Sequence, residues 1–200
     1  MGTHNRKKAA ELNELFAPLG FRLAMLADYP AAIDVVEDGD SFAANAALKA
    51  TEQARHLKCW VLGEDSGLAV DALGGAPGIY SARYSGAGAT DQTNNRRLLD
   101  ELADVPPERR TAHYVCHMTL SDPTGSVRAE SEATCCGRIA REAAGSGGFG
   151  YDPLFEIAEY HRTFGQLGGA VKRTLSHRSR AARLLVPQLA TLVQSGSWTP

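Results

Sequence analysis

The chain has 200 residues, 44% of them hydrophobic, and a formal net charge of -2, which suffices to bury a core but offers no general attraction to a nucleic-acid backbone. Duplex nucleic acid is therefore excluded as a partner class, and any anionic ligand must be met by a local cluster of cations. The four cysteines, Cys59, Cys116, Cys135 and Cys136, include no C-x-x-C spacing, which argues against a zinc site and a disulfide framework and fits reduced thiols in a cytoplasmic protein.

Apolar residues at Ala9, Leu12, Leu15, Phe16 and Leu19 recur at helical spacing and predict a helix from near Asn5. Asn45 precedes Ala46, Ala47, Leu48, Ala50 and Ala54 and reads as the start of a second helix, with Lys49 in its first turns. The short apolar run Cys59-Trp60-Val61-Leu62, bounded by Gly63, reads as a buried strand. Glu64 and Asp65 then fall just beyond its carboxyl end, where ligands tend to collect. On extended backbone their side chains point to opposite faces, so a metal site here needs an acid from another segment.

Thr111 to Leu120 alternates, with Tyr114, Cys116, Met118 and Leu120 on one face, and predicts a long strand. Asp122-Pro123-Thr124-Gly125 is turn chemistry, so Ser126 to Cys136 is the returning strand of a hairpin. His113 and His117 share the other face; a polar strand face explains them more simply than a metal pair. A last helix is predicted from about Leu175-Ser176, burying Ala181, Leu184, Leu185, Leu189 and Leu192. No run approaches about 18 consecutive apolar residues, and the N-terminus lacks the apolar core of a signal peptide, so no membrane partner is expected.

Two glycine-rich loops, Leu73 to Gly78 and Gly145 to Pro153, suit tight turns or close approach of backbone to a ligand. Neither matches a phosphate-binding G-x-x-x-x-G-K-[ST] loop or a dinucleotide G-x-G-x-x-G. The second carries Phe149 and Tyr151, whose flat faces suit stacking on a base, beside the acceptor Asp152.

Thr3-His4-Asn5-Arg6-Lys7-Lys8, Ser41 to Ala50, Glu64-Asp65-Ser66-Gly67-Leu68, Gly74 to Tyr84, Gly147 to Pro153 and Ser176-His177-Arg178 together resemble the inosine triphosphate pyrophosphatase (Ham1/RdgB-like) family. The blocks keep family order and span nearly the whole chain. The resemblance implies an α/β fold in which a long mixed central sheet with flanking helices forms two lobes around a substrate cleft. It further implies a single nucleoside triphosphate pyrophosphatase domain over residues 1–200, lacking an expected first strand, that is usually a homodimer. The implied reaction is Mg2+-dependent hydrolysis of the purine triphosphates ITP, dITP and XTP to monophosphate and pyrophosphate, cleansing the nucleotide pool.

Carried over residue by residue, the resemblance makes Asp65 the catalytic carboxylate and a metal ligand, with Glu37 as the second metal acid. Lys8, Lys49 and Lys172 match phosphate-binding lysines, and Thr3, His4, Asn5, Arg6 and Lys7 belong to the first of these loops. The helix starts near Asn5 and Asn45 add backbone N–H groups for the same anion. Ser66 matches a substrate contact; Phe149, Gly150, Tyr151 and Asp152 take one side of the base, and His177 and Arg178 close over it. Arg178 can donate to a 6-oxo group but cannot accept from adenine's 6-amino group. The chain departs from the family at Ala44, usually glutamate, and Glu64, usually aspartate. A Maf-like pyrophosphatase for other modified nucleotides and a catalytically silent nucleotide-binding protein are the alternative readings.

Overall fold

The computed structural model describes residues 1–2 and 5–198, apart from the side chains of Arg6 and Leu19. In chain order the elements are α1 (Arg6–Phe16), α2 (Phe42–Leu57), β1 (Val61–Val70), α3 (Asp91–Glu101), β2 (Thr111–Ser121), β3 (Val127–Ile139), β4 (Phe155–Ile157), β5 (Arg162–Thr163), α4 (Gly169–Leu175) and α5 (His177–Gln194). The fold is α/β, and the strands form one five-stranded sheet in the order β1-β2-β3-β4-β5. The β3–β4 and β4–β5 pairings are antiparallel. The turn between β2 and β3 is the expected one: Asp122 Oδ1 accepts from the Thr124 N–H at 2.9 Å and the Ser126 N–H at 3.2 Å, an Asx-type closure.

The chain divides into two compact units, Met1–Ser66 with Cys116–Ala133 and His177–Pro200, and Gly67–Val115 with Thr134–Ser176. The core of the first unit gathers Ala9, Leu12 and Phe16 of α1, Ala181, Leu185 and Leu189 of α5, and Cys116, Met118 and Leu120 of β2. The anticipated helical spacings produce this core, although Leu184 lies outside it, 55% exposed. At its edge Trp60 and Trp198 stack with ring centroids 4.5 Å apart. The second unit buries Leu68, Val70, Leu98, Leu102, Tyr114, Tyr151, Phe155 and Phe164. Arg110 closes the end of α3 there, donating to Leu102 O at 2.6 Å and Val105 O at 2.9 Å.

Two elements begin or end elsewhere than expected. Helix α2 starts at Phe42, because Ser41, extended at φ -147°, caps it by accepting from the Ala44 N–H at 3.2 Å. Strand β1 does not stop at Gly63 but runs to Val70, so Glu64 and Asp65 lie mid-strand rather than beyond its end. Gly63 is a packing residue: a Cβ there would meet Ala46 O at 2.2 Å and Ala50 N at 2.8 Å, both backbone atoms of α2. A Gly63→Ala substitution must push helix from strand and is expected to cost about 1–3 kcal/mol, read as a lowered midpoint in urea unfolding. Helices α3 and α4 escaped sequence reading. In α3 the buried apolar face reduces to Leu98, though Thr90 and Thr93 form a reciprocal cap at its start.

Candidate active site

The pleat of β1 sends Glu64 and Asp65 to different partners, as extended backbone requires. Asp65, 7% exposed, faces α2. Its Oδ1 accepts from Lys49 Nζ at 2.9 Å and its Oδ2 lies 3.5 Å from Asn45 Nδ2. The same Lys49 ammonium donates to Glu37 Oε2 at 2.9 Å. One cation thus draws together two carboxylates from segments far apart in the chain, so both can serve a single hard divalent ion. Among the described residues no group of three or more His, Cys, Asp or Glu side chains is arranged to hold a metal. A metal held by these two acids alone would take its remaining ligands from water and substrate oxygens.

The electrostatics of this end follow from burial. Burial lifts the Asp65 carboxyl above the ordinary aspartate range, with Lys49 and Lys8 opposing it. A more basic carboxylate is a better proton acceptor near neutrality. Burial would lower Lys49, but Asp65 and then Glu37 outweigh it, and the ammonium holds its proton beyond the ordinary lysine range.

Glu64 is fully buried and belongs to a second cluster. Arg178 donates to its Oε1 through Nε at 3.2 Å and Nη2 at 2.8 Å, and Lys8 Nζ lies 3.1 Å from its Oε2. Arg178 also donates to Ser66 Oγ at 2.9 Å and to Glu11 Oε2 at 2.5 Å. Burial would raise the Glu64 carboxyl, yet Arg178 and Lys8 hold it well below the ordinary glutamate range. The Cys116 thiol, 3.5 Å from Glu64 Oε1, is pushed well up by its burial and by that charge. The resemblance has Arg178 close over a base; in the structure its guanidinium donates to Glu64, Ser66 and Glu11. The neighbouring His177 is buried at the start of α5.

The loop before α1 differs from expectation as well. Asn5 caps the helix, accepting from the Lys7 and Lys8 N–H groups at 3.0 and 3.1 Å. The Asn45 N–H is bonded to Ser41 O. The Lys7, Lys8 and Asn45 N–H groups, among the backbone donors expected to meet an anion at these helix starts, are thus already engaged. Lys7 is exposed, whereas Thr3, His4 and the Arg6 side chain lie outside the described residues.

In the second unit the glycine-rich loop folds around Asp152. Its Oδ2 accepts from the Phe149 N–H at 2.8 Å and from Lys172 Nζ at 2.6 Å. Gly148, at φ +75°, has no room for a side chain, since a Cβ would lie 2.0 Å from that same oxygen. Lys172, anticipated among phosphate ligands, sits 4.4 Å from the Phe149 ring centroid as a cation–π partner. Gly150 offers its carbonyl to Asn95 Nδ2 at 3.0 Å. Tyr151 is not a stacking surface: it is 3% exposed, packs in the core and donates its hydroxyl to Ser81 O at 2.8 Å. Core aromatics and exposed stacking aromatics look alike in sequence; Phe149 alone of the two is partly open.

Sequence reading also missed Glu11 and Cys116, which carry no motif. It misread Asn45 as a cap, although the four-residue steps between Asn45, Lys49 and Gln53 were visible.

The profile of the Ham1 family matches residues 1–188. The chain is 59% identical over 197 residues to a dITP/XTP pyrophosphatase of Rhodopirellula baltica, covering 98% of this chain and 95% of that protein. It is 43% identical over 183 residues to a dITP/XTP pyrophosphatase of Desulforamulus reducens, covering 92% and 90%. Among solved structures, the Ham1 protein of Staphylococcus aureus superposes with a TM-score of 0.84 at 35% identity, covering 95% of this chain and 96% of its own.

Proposed function

The chain belongs to the Ham1 family, and on that premise we propose that it hydrolyses the purine triphosphates ITP, dITP and XTP to the nucleoside monophosphate and pyrophosphate. The observation that carries this reading is the convergence of Glu37 and Asp65 on one lysine. A pair of carboxylates with a cation between them matches the needs of a metal–polyphosphate complex. The relatives named as dITP/XTP pyrophosphatases support the choice of substrate.

In this reading Glu37 and Asp65 would hold Mg2+, which would supply positive charge against the polyphosphate. Asp65 takes the proton of the attacking water as the new bond to the α-phosphorus forms. The bond from that phosphorus to the bridging oxygen breaks, and pyrophosphate leaves with the electron pair. Lys49 and Lys8 neutralise phosphate oxygens, and Asn5 caps the first turn of α1 that carries Lys8. Glu64, Ser66 and Arg178 form the buried frame behind them, with His177 beside it.

Phe149 provides the stacking face for the base, with Gly150, Asp152 and Lys172 around it. Lys172 has donors and no acceptor, so it can meet a 6-oxo purine but opposes donor to donor with adenine's 6-amino group. An unpaired donor of this kind costs about 1–3 kcal/mol, which corresponds to ITP being preferred to ATP by about 5- to 150-fold. The homodimer and the cytoplasmic setting implied by the family belong to the same proposal.

A panel of ITP, XTP, dITP, GTP, ATP and modified pyrimidine triphosphates, assayed for pyrophosphate with and without Mg2+, tests the reading. Pyrophosphate is expected from ITP and XTP at the highest kcat/KM, and only with the metal. Release of inorganic phosphate, a preference for modified pyrimidines, or binding without turnover would each overturn it.

A further inference from the structure

Helix α2 carries Asn45, Lys49 and Gln53 at steps of four residues, so the three side chains form one row along the helix. All three are polar and nearly fully buried. What they cover is the segment 31–39, which has no regular structure and carries Glu37. Each member of the row grips this segment at a different point. Asn45 Oδ1 accepts from the Gly39 N–H at 2.9 Å, and Lys49 Nζ donates to Glu37 at 2.9 Å. Gln53 takes both backbone groups of Ile33: its Oε1 accepts from the Ile33 N–H at 3.3 Å and its Nε2 donates to Ile33 O. One turn on, His56 Nε2 lies 2.7 Å from Ala31 O.

The Gln53 pairing is that of a neighbouring strand, performed by a side chain. A primary amide has the one donor and one acceptor needed to satisfy an extended residue on both sides. Neither end of the amide is bonded to Glu37, Asp65 or Lys49, so contact with the acids cannot be its use. Glu37 is the more exposed member of the carboxylate pair, at 39% of its side chain, and the segment around it has no ladder to hold it. The position of its carboxylate therefore depends on where Ile33 and Gly39 are pinned.

We propose that Gln53 is a positioning residue for the metal end of the site, fastening the 31–39 segment so that Glu37 meets Asp65 on a common cation. This rests on the functional reading above. Partners that hold a metal ligand in place are worth about 10–100-fold in metal affinity when removed. Gln53→Met keeps the length and apolar volume of the side chain while deleting both bonds to Ile33, and His56→Leu is a milder, surface version of the same change.

The test measures Mn2+ binding to the whole protein by electron paramagnetic resonance, the Mg2+ concentration for half-maximal pyrophosphate release, and hydrogen exchange of amides 32–39. For Gln53→Met the Mn2+ Kd and the Mg2+ half-saturation are expected to rise about tenfold, with kcat at saturating Mg2+ within about twofold and exchange in the segment faster. His56→Leu should move all three the same way by less, which keeps the proposal testable if Gln53→Met fails to fold. Faster exchange with unchanged Mn2+ affinity would overturn it, because Gln53 would then only stabilise the fold. A lower kcat at every Mg2+ concentration with unchanged affinity would overturn it as well. Wild-type protein that neither binds Mn2+ nor releases pyrophosphate would instead sink the functional reading along with this one.

Discussion

Asp65→Asn is expected to lower pyrophosphate release from ITP by roughly 10²–10⁴-fold, the range for loss of a general base. The amide keeps the size of the side chain and still offers an oxygen to the Lys49 ammonium, which also stays paired with Glu37. What it loses is the capacity to accept a proton and one negative charge toward the metal. The loss should fall on kcat, with KM for ITP and the melting temperature little moved, since the fold around β1 is kept. A pyrophosphate-coupled assay beside a thermal melt separates the two. Activity within tenfold of wild type would mean that another group takes the proton. The pH dependence follows from burial: Asp65 is raised above 3.8, and the ionised form is the active one. In the metal-free protein the Asp65 carboxyl should therefore take up its proton above the ordinary aspartate range, read as its carboxyl chemical shift against pH, and added Mg2+ should draw that titration down.

The largest loss of stability is expected from Arg178→Met. Glu64 and Arg178 have side-chain exposures of 0% and 2% and lie 2.8 Å apart. Breaking a buried pair leaves an uncompensated charge, at a cost on the order of 3–5 kcal/mol. Lys8 remains near Glu64, so the loss is expected at the low end of that range. At about 2–4 °C per kcal/mol for a chain of this size, the melting temperature should drop by roughly 10 °C. Removing both partners, as Glu64→Leu with Arg178→Met, should recover part of the loss, because the fully buried charge is then gone and Lys8 and Glu11, which lose their partners, are the more exposed members of the cluster. A double variant as unstable as the sum of the singles would show that packing matters here, not charge. The sign with pH is fixed by the depressed Glu64: its contribution is fully present above its unfolded value near 4.5 and is lost as pH falls through the lower folded value. Arg178→Met should therefore show a flatter acid side in its stability profile than wild type.

The long elements could be read from the chain because their burial is periodic. Alternation along β2, the Asp122 turn and the helical spacing in α1 and α5 each reflect one face meeting a core. Gly63 misled because a glycine forced by close helix packing is written like a glycine that ends a strand. Tyr151 misled for a related reason, since an aromatic beside a ligand loop and an aromatic under it have the same letter. For the site, spacing required an acid distant from Asp65, and the resemblance named Glu37; the structure brings both to Lys49. Partners that act through one another, such as Arg178 on Glu64 or Gln53 on Ile33, leave no local pattern to read. They are set by tertiary packing between segments 20 or more positions apart.

The stacked Trp60 and Trp198 are the chain's two tryptophans, and both stand in the first unit. Tyr80, Tyr84, Tyr114, Tyr151 and Tyr160 stand in the second. Indole emission excited at long wavelength is therefore a private signal of the unit that carries Glu37, Asp65 and Arg178, and melting of the base-loop unit would be silent in it. Followed beside far-ultraviolet dichroism, which sees both, it tells in a single titration whether a variant loosens one unit or the whole chain.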